Sequence, residues 1–242
     1  PVGAVQSWTG DPWYEHIADD MKDVQVVGTE SEVNVEAIAA LQPDLIIGNK
    51  MRQEKIYDQL NDIAPTIFAE TLRGNWKENF ELYAKALNKE EEGQKVIADY
   101  DSRIEEIKTS LGDNLNQEVS IVRFMAGDVR IYHKDSFSGV ILDQIGLARP
   151  ESQNVDDFAE VNATKERIPA MDGDVLFYFT YETGDGEANK LAKEWIEDPL
   201  FKNLKVAQEG NVHEVSDTIW NTAGGVIAAN LLLDDLEKYL VK

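Results

Sequence analysis

A twelve-residue stretch occurs twice in this 242-residue chain and limits the fold more than any other feature. Residues 36–47 read EAIAALQPDLII and residues 166–177 read ERIPAMDGDVLF, at a constant offset of 130. Glu36/Glu166, Ile38/Ile168, Ala40/Ala170 and Asp44/Asp174 are identical across the copies. Leu41/Met171, Leu45/Val175, Ile46/Leu176 and Ile47/Phe177 exchange one apolar residue for another. The first part of each copy has helical spacing, with Ile38 and Leu41 on one face. A turn follows, and then an unbroken apolar run of the kind shown by a strand buried on both faces. Each copy reads as a short helix delivering the chain into a parallel-sheet strand. Two α/β lobes of similar build are the simplest arrangement. A chance likeness between two ordinary helix-to-strand connections is the alternative.

The rest of the chain fits such lobes. Short apolar runs at residues 1–5, 24–27 and 65–68 read as strands, and Asn34 is placed to cap the first repeat helix. A helix is expected near residues 52–62. Residues 75–110 carry Leu82, Ala86, Val96, Tyr100, Ile104 and Ile107 at helical spacing with no intervening Pro. They predict one long helix, or one broken at Asn88, between the lobes. A hairpin follows at residues 119–132, turning at Ala126-Gly127-Asp128. Helices are predicted at residues 136–145, ended by Gly146, at 188–196 and at 221–239. Strands are predicted at 176–181 and 212–215.

Composition narrows the function. The net charge is −23, from 46 acidic and 23 basic residues. A field of that sign repels nucleic acid and anionic lipid, so neither is an expected partner. It also makes any local Arg informative, because an anion binds here only where Arg or backbone N–H groups overcome the background. Cysteine is absent, which excludes thiolate catalysis, disulfides and Cys-ligated metals. The three histidines, His16, His133 and His213, are scattered without metal-ligand spacing. There is no nucleophile elbow and no phosphate-cradling glycine loop. No apolar run approaches the ~20 residues of a membrane span. An enzyme is therefore not indicated.

In an open α/β sheet, ligands bind outside the carboxyl ends of the strands. The residues expected there are Trp8 and Trp13, Arg52, Arg73, Arg123, Met125, Tyr178, Tyr181 and Trp220. Each alone reads equally well as a surface Arg or a packed aromatic. Their shared placement, drawn from both halves, suits a large and partly apolar anion held by planar Arg donors and aromatic faces.

The pattern E-x-I-x-A-L-x-P-D-L-I-I within residues 34–47 resembles the signature of helical-backbone periplasmic binding proteins of ABC importers. The hairpin, Ser136-Phe137-Ser138-Gly139, Trp195, the run from Pro199 to Leu204, Gly210-Asn211-Val212 and Trp220 are similar to the second half of the same family. The likeness covers essentially the whole chain. Within the family it most resembles Gram-positive lipoproteins for ferric hydroxamate and citrate-hydroxamate siderophores.

The resemblance implies an α/β class III periplasmic-binding-protein fold, with two Rossmann-like lobes joined by a long connecting helix. The lobes are expected at residues 1–74 and 112–242, the helix at 75–111. The family starts with a further strand and helix, so an N-terminal βα unit is expected to precede residue 1, with a lipid anchor upstream of it. The implied function is capture of an iron(III)–siderophore between the lobes and its delivery to a permease and its ATPase, by a monomer outside the cell membrane. Iron would be held by the siderophore's own oxygens, with no cofactor and no protein metal ligand. Trp8, Arg52, Arg73, Arg123, Tyr178, Tyr181 and Trp220 are the implied ligand-binding residues. Glu36 and Glu166 are the implied permease-docking residues. The few Arg of the second half favour a hydroxamate or mixed ligand over an all-carboxylate one. Haem or cobalamin is the alternative cargo.

Overall fold

In the computed structural model, which describes residues 1–241, the chain divides into two compact units, Pro1–Lys95 and the remainder from Val96. In the first unit, β1 (Gly3–Gln6) pairs in parallel with β2 (Gln25–Thr29), and β3 (Ile46–Asn49) with β4 (Thr66–Ala69). The first repeat copy forms the helix and strand that its pattern predicts. Helix α1 (Val35–Leu41) starts where Asn34 accepts the Ala37 N–H at 2.9 Å, and it ends at Gln42 in the left-handed conformation. Pro43 and Asp44 then lead the chain into β3. Ile46, Leu60 and Ala64 form the local core, with Val35, Ile38, Ile56, Ile63 and Phe68 packed around them.

Two expectations need adjusting in this unit. Ile47 is 38% exposed and Val26 43%, so these strands are not buried on both faces. Each belongs to a ribbon of only two strands. The helix expected over 52–62 is divided into α2 (Lys50–Gln53), a 3-10 turn (Glu54–Ile56) and α3 (Tyr57–Asn61). The first division falls at Gln53, whose buried side chain is drawn inward to accept the Asn49 N–H and donate to the Glu30 carbonyl.

Helices α4 (Trp76–Ala86) and α5 (Glu90–Leu111) flank Asn88, whose φ of 55° breaks the helical run. Gly93 lets α5 approach α4, since a Cβ there would stand 2.5 Å from the Ala84 methyl. The boundary between the two units falls within α5.

The second unit is built on one five-stranded sheet in the order β7-β6-β5-β8-β9. β5 (Val119–Met125) and β6 (Asp128–Tyr132) form the predicted hairpin. β8 (Val175–Tyr181) lies parallel to β5, and β9 (Val212–Glu214) parallel to β8. β7 (Ala159–Glu160) closes the far edge. Side chains alternate between the sheet's faces. Val122, Phe124 and Leu176 join Trp195, Phe201 and Val206 of α7 (Glu187–Ile196), α8 (Pro199–Lys202) and α9 (Lys205–Gln208) in one cluster. On the opposite face Phe177 meets Trp220 at 4.6 Å and Tyr239 of α10 (Gly225–Leu240) at 5.7 Å. Helix α6 (Phe137–Ile145) runs from the Ser136 cap to Gly146 as predicted.

The later turns of α5 are tied to this unit. Tyr100 donates to Gln144 at 2.9 Å, and Arg103 donates to the Asn230 carbonyl at 2.9 Å and to Glu237 at 3.0 Å. The second repeat copy is a 3-10 helix (Lys165–Met171), not an α-helix. Pro169 within it lacks the N–H that α-helical pairing needs. Ile168 and Met171 are nonetheless fully buried, as the apolar pattern requires. The last helix begins at Gly225, because residues Thr218–Thr222 form a π turn.

Candidate functional site

The carboxyl ends of the first-unit strands bring two expected residues together through a third that sequence reasoning missed. Trp8 lies just beyond β1, Glu30 just beyond β2, and Arg52 in α2 just beyond β3. The Glu30 carboxylate accepts the Trp8 indole N–H and, on its other oxygen, the Arg52 Nε hydrogen at 3.1 Å. The Arg52 guanidinium carbon stands 5.8 Å from the centre of the Trp8 ring.

Local backbone chemistry sets this up. Gly28 has φ of 100°, and a Cβ there would lie 2.3 Å from the Glu32 carbonyl oxygen, so only glycine allows the turn that presents Glu30. Asn49 caps α2 by accepting the Arg52 N–H at 3.0 Å. Gln53 binds the Glu30 carbonyl at 3.0 Å, fixing the backbone beside the carboxylate. Trp8 is 43% exposed and the Arg52 side chain equally so, which leaves both open to a ligand. Arg73 follows β4 in a one-turn 3-10 helix (Arg73–Asn75), exposed and with φ of 73°.

In the second unit the structure separates residues that the sequence groups. Tyr181 ends β8, while Tyr178 lies mid-strand on the opposite face, three residues earlier. Tyr178 packs edge-on to Phe124 and donates to Glu214 at 3.2 Å. Burial and the Glu214 charge push its phenol up to about 12. Trp220 is fully buried, 4.6 Å from Phe177, and donates its indole N–H to Asp235 at 2.8 Å. It is packed in the core and presents no surface at the strand ends where it was expected. It lies within the π turn Thr218–Thr222.

Arg123 is also enclosed. Its Nε and Nη2 fork the two oxygens of Asp217 at 2.6 and 3.2 Å, Nη2 reaches Thr222 Oγ1 at 3.0 Å, and Nη1 reaches the Tyr132 hydroxyl at 3.4 Å. The Tyr181 ring covers it at 4.8 Å. Asp217, Thr222 and Tyr132 were not singled out from sequence. Asp217 carried a signal, as an acid just beyond a predicted strand, but only the π turn reveals its partner.

Glu36 and Glu166 occupy matching places in the first turns of the two repeat helices, and both are exposed. Neither forms an ion pair among the described residues, although Glu166 sits between two cations. Lys165 is paired with Glu194 at 2.8 Å and Asp198 at 3.1 Å, and Arg167 forks Glu160 with two bonds of 2.7 Å. Glu166 keeps only the Thr164 hydroxyl, at 3.0 Å. Among the described residues no group of three or more acids and histidines is arranged to hold a metal, and no helix is long and apolar enough to cross a membrane.

Comparison with known proteins bears on this arrangement. The family model described as periplasmic binding protein matches residues 1–218. The chain is 58% identical over 249 aligned residues to the probable siderophore-binding lipoprotein YfiY of Bacillus subtilis, spanning all of this chain and 77% of that protein. It is 31% identical to the Fe(3+)-citrate-binding protein YfmC of the same organism, over 89% of this chain and 67% of the other. Among solved structures, Staphylococcus aureus SirA complexed with staphyloferrin B superposes with a TM-score of 0.91 at 34% identity, covering 99% of this chain and 86% of that one. With a family match over most of its length and such relatives, the chain belongs to the periplasmic binding proteins, substrate-binding proteins and not enzymes.

Proposed function

We propose that this protein is the extracytoplasmic substrate-binding component of an ABC importer, and that it captures an iron(III)–siderophore complex. The observation that carries this reading is the likeness, over all or most of the chain, to proteins named for siderophores and ferric citrate. Iron arrives as cargo, held by the oxygens of its chelator, and the protein contributes no metal ligand. Trp8 and Arg52 supply an aromatic face and a planar cation at the first-unit strand ends, and Tyr181 supplies an aromatic ring at the second. Arg73 stands beyond β4 as a further cation for the chelator. Arg123 is neutralised by Asp217, so few uncompensated cations face the ligand. That supports a hydroxamate or citrate-hydroxamate chelator over an all-carboxylate one. The haem alternative needs an axial ligand: the Tyr178 hydroxyl is engaged by Glu214, which leaves the Tyr181 hydroxyl and the Met125 thioether as its candidates.

Glu36 and Glu166 are the docking carboxylates for the permease. Their exposure, their repeat-related positions and their lack of ion pairs support this role, because a carboxylate already paired would have less to offer a basic partner. The protein acts as a monomer tethered by lipid to the outer face of the cell membrane; likeness to a relative named as a lipoprotein supports the tether.

The test is a titration of tryptophan fluorescence with ferric schizokinen, ferrioxamine, ferric citrate, haem and cobalamin. Saturable quenching by a hydroxamate complex at sub-micromolar concentration is expected. Saturation by haem or cobalamin alone would overturn the cargo assignment.

A further inference from the structure

The Arg123 cluster is more elaborate than a core ion pair requires. Arg123 and Asp217 keep only 9% and 6% of their side-chain surface exposed. A buried pair has to repay the desolvation of both charges, which it does only with excellent geometry and every remaining donor engaged. That geometry depends on the π turn. In an α-helix the residue above position 217 would be 221, four residues on. In the π turn the Ala223 N–H bonds to the Thr218 carbonyl, five residues back, at 2.9 Å. The extra residue brings Thr222 into register with Asp217, where its hydroxyl donates to the carboxylate and accepts from Arg123 Nη2. The best-attested use of such a buried polar network is to fix one arrangement of its neighbours. The neighbour here is the ring of Tyr181, last residue of β8, at the strand ends where α/β sheets receive ligands.

We infer that Arg123, Asp217 and Thr222 are positioning residues that act on the bound siderophore through Tyr181, and that Arg123 makes no ligand contact of its own. The guanidinium forms a floor beneath one face of the phenol ring and leaves the other to the ligand. This inference rests on the reading of Tyr181 as a siderophore contact, but its first test does not.

That test uses nuclear magnetic resonance of protein carrying isotope-labelled tyrosine, with the Tyr181 ring signals assigned by their loss in Tyr181→Ala. In Thr222→Val and Asp217→Asn those signals should move and broaden, while Thr222→Ser restores them. Unchanged signals in both variants would overturn the inference.

The second test compares affinities for ferric schizokinen. Thr222→Val, which alters no charge, should bind about fivefold more weakly than wild type, and this loss should vanish in a Tyr181→Ala background. Should Arg123 touch the ligand directly, the loss would persist in that background, and the inference falls. If wild type binds none of the ferric complexes, the siderophore reading fails, while the resonance comparison still decides whether the network positions Tyr181.

Discussion

Arg52 donates its Nε hydrogen to Glu30 at 3.1 Å, so the guanidinium at the first-unit strand ends already has a resident carboxylate. The two side chains are 43% and 20% exposed, and ion pairs in such surroundings contribute about 0–1 kcal/mol. A ligand carboxylate or hydroxamate can therefore displace Glu30 cheaply. If Arg52 is a ligand contact, as proposed, an incoming anion has to compete with Glu30 for the guanidinium. Glu30→Gln is expected to tighten binding of ferric citrate about threefold to fivefold, and Arg52→Ala to weaken ferric siderophore binding about tenfold. Fluorescence titration measures both. If Glu30→Gln weakens binding as much as Arg52→Ala does, Glu30 positions the guanidinium and does not compete for it.

Glu36 and Glu166 carry a different expectation. Both are exposed and unpaired among the described residues, and the cations beside Glu166 are paired elsewhere. Glu36→Ala and Glu166→Ala should leave the dissociation constant for the ferric complex and the melting temperature unchanged. Each should lower cellular uptake of the iron complex, and the double variant should lower it about tenfold or more, since docking carboxylates act through partner cations. Normal uptake by the double variant would remove them from the interface.

How far the chain could be read in advance follows from the range of the interactions. The repeat, the hairpin and the cap–helix–glycine unit from Ser136 to Gly146 were legible because each is set by residues within a few positions of one another. The connection after β3 was misread because Gln53 turns inward to satisfy Glu30, 23 residues away. The π turn was invisible because it is stabilised by Arg123, 94 residues before Asp217. The burial of Trp220 was hidden in the same way, since its indole bonds to Asp235, 15 residues on. Tyr178 and Tyr181 were grouped as strand-end neighbours although their spacing of three puts them on opposite faces.

Arg149 gives a prediction about stability. It is buried, donates to the Val119 and Tyr132 carbonyls at 2.7 Å each and to Gln153 Oε1 at 2.8 Å, and has no carboxylate partner among the described residues. Burial lowers its pKa to about 10. Gln153 extends the network by accepting the Ile121 N–H and donating to Ser120 Oγ and the Ala170 carbonyl. Removing the guanidinium strands two buried carbonyls. Arg149→Met is therefore expected to cost about 2–4 kcal/mol in denaturant unfolding, and Arg149→Met with Gln153→Ala should cost less than the sum of the two. A change below ~0.5 kcal/mol would mean that water replaces the lost donors.

Acid should destabilise the second unit through His213. Its ring stacks on Tyr239 at 4.4 Å and lies 5.6 Å from Phe177. Burial, with the Lys238 charge nearby, holds its pKa below the ordinary 6.5. Below pH ~6.5 the unfolded chain takes up a proton that the folded ring resists, so stability is greatest above that pH and falls as acid is added. His16 in the first unit, lowered by burial, contributes with the same sign. The lowered carboxylates Glu182 and Asp198 respond only in more acid solution, below their ordinary values of 4.5 and 3.8, so the two windows separate. Melting temperature should fall between about pH 7.5 and pH 5.5 in wild type, and by less in His213→Gln. An equal fall in both would assign the acid sensitivity to other groups.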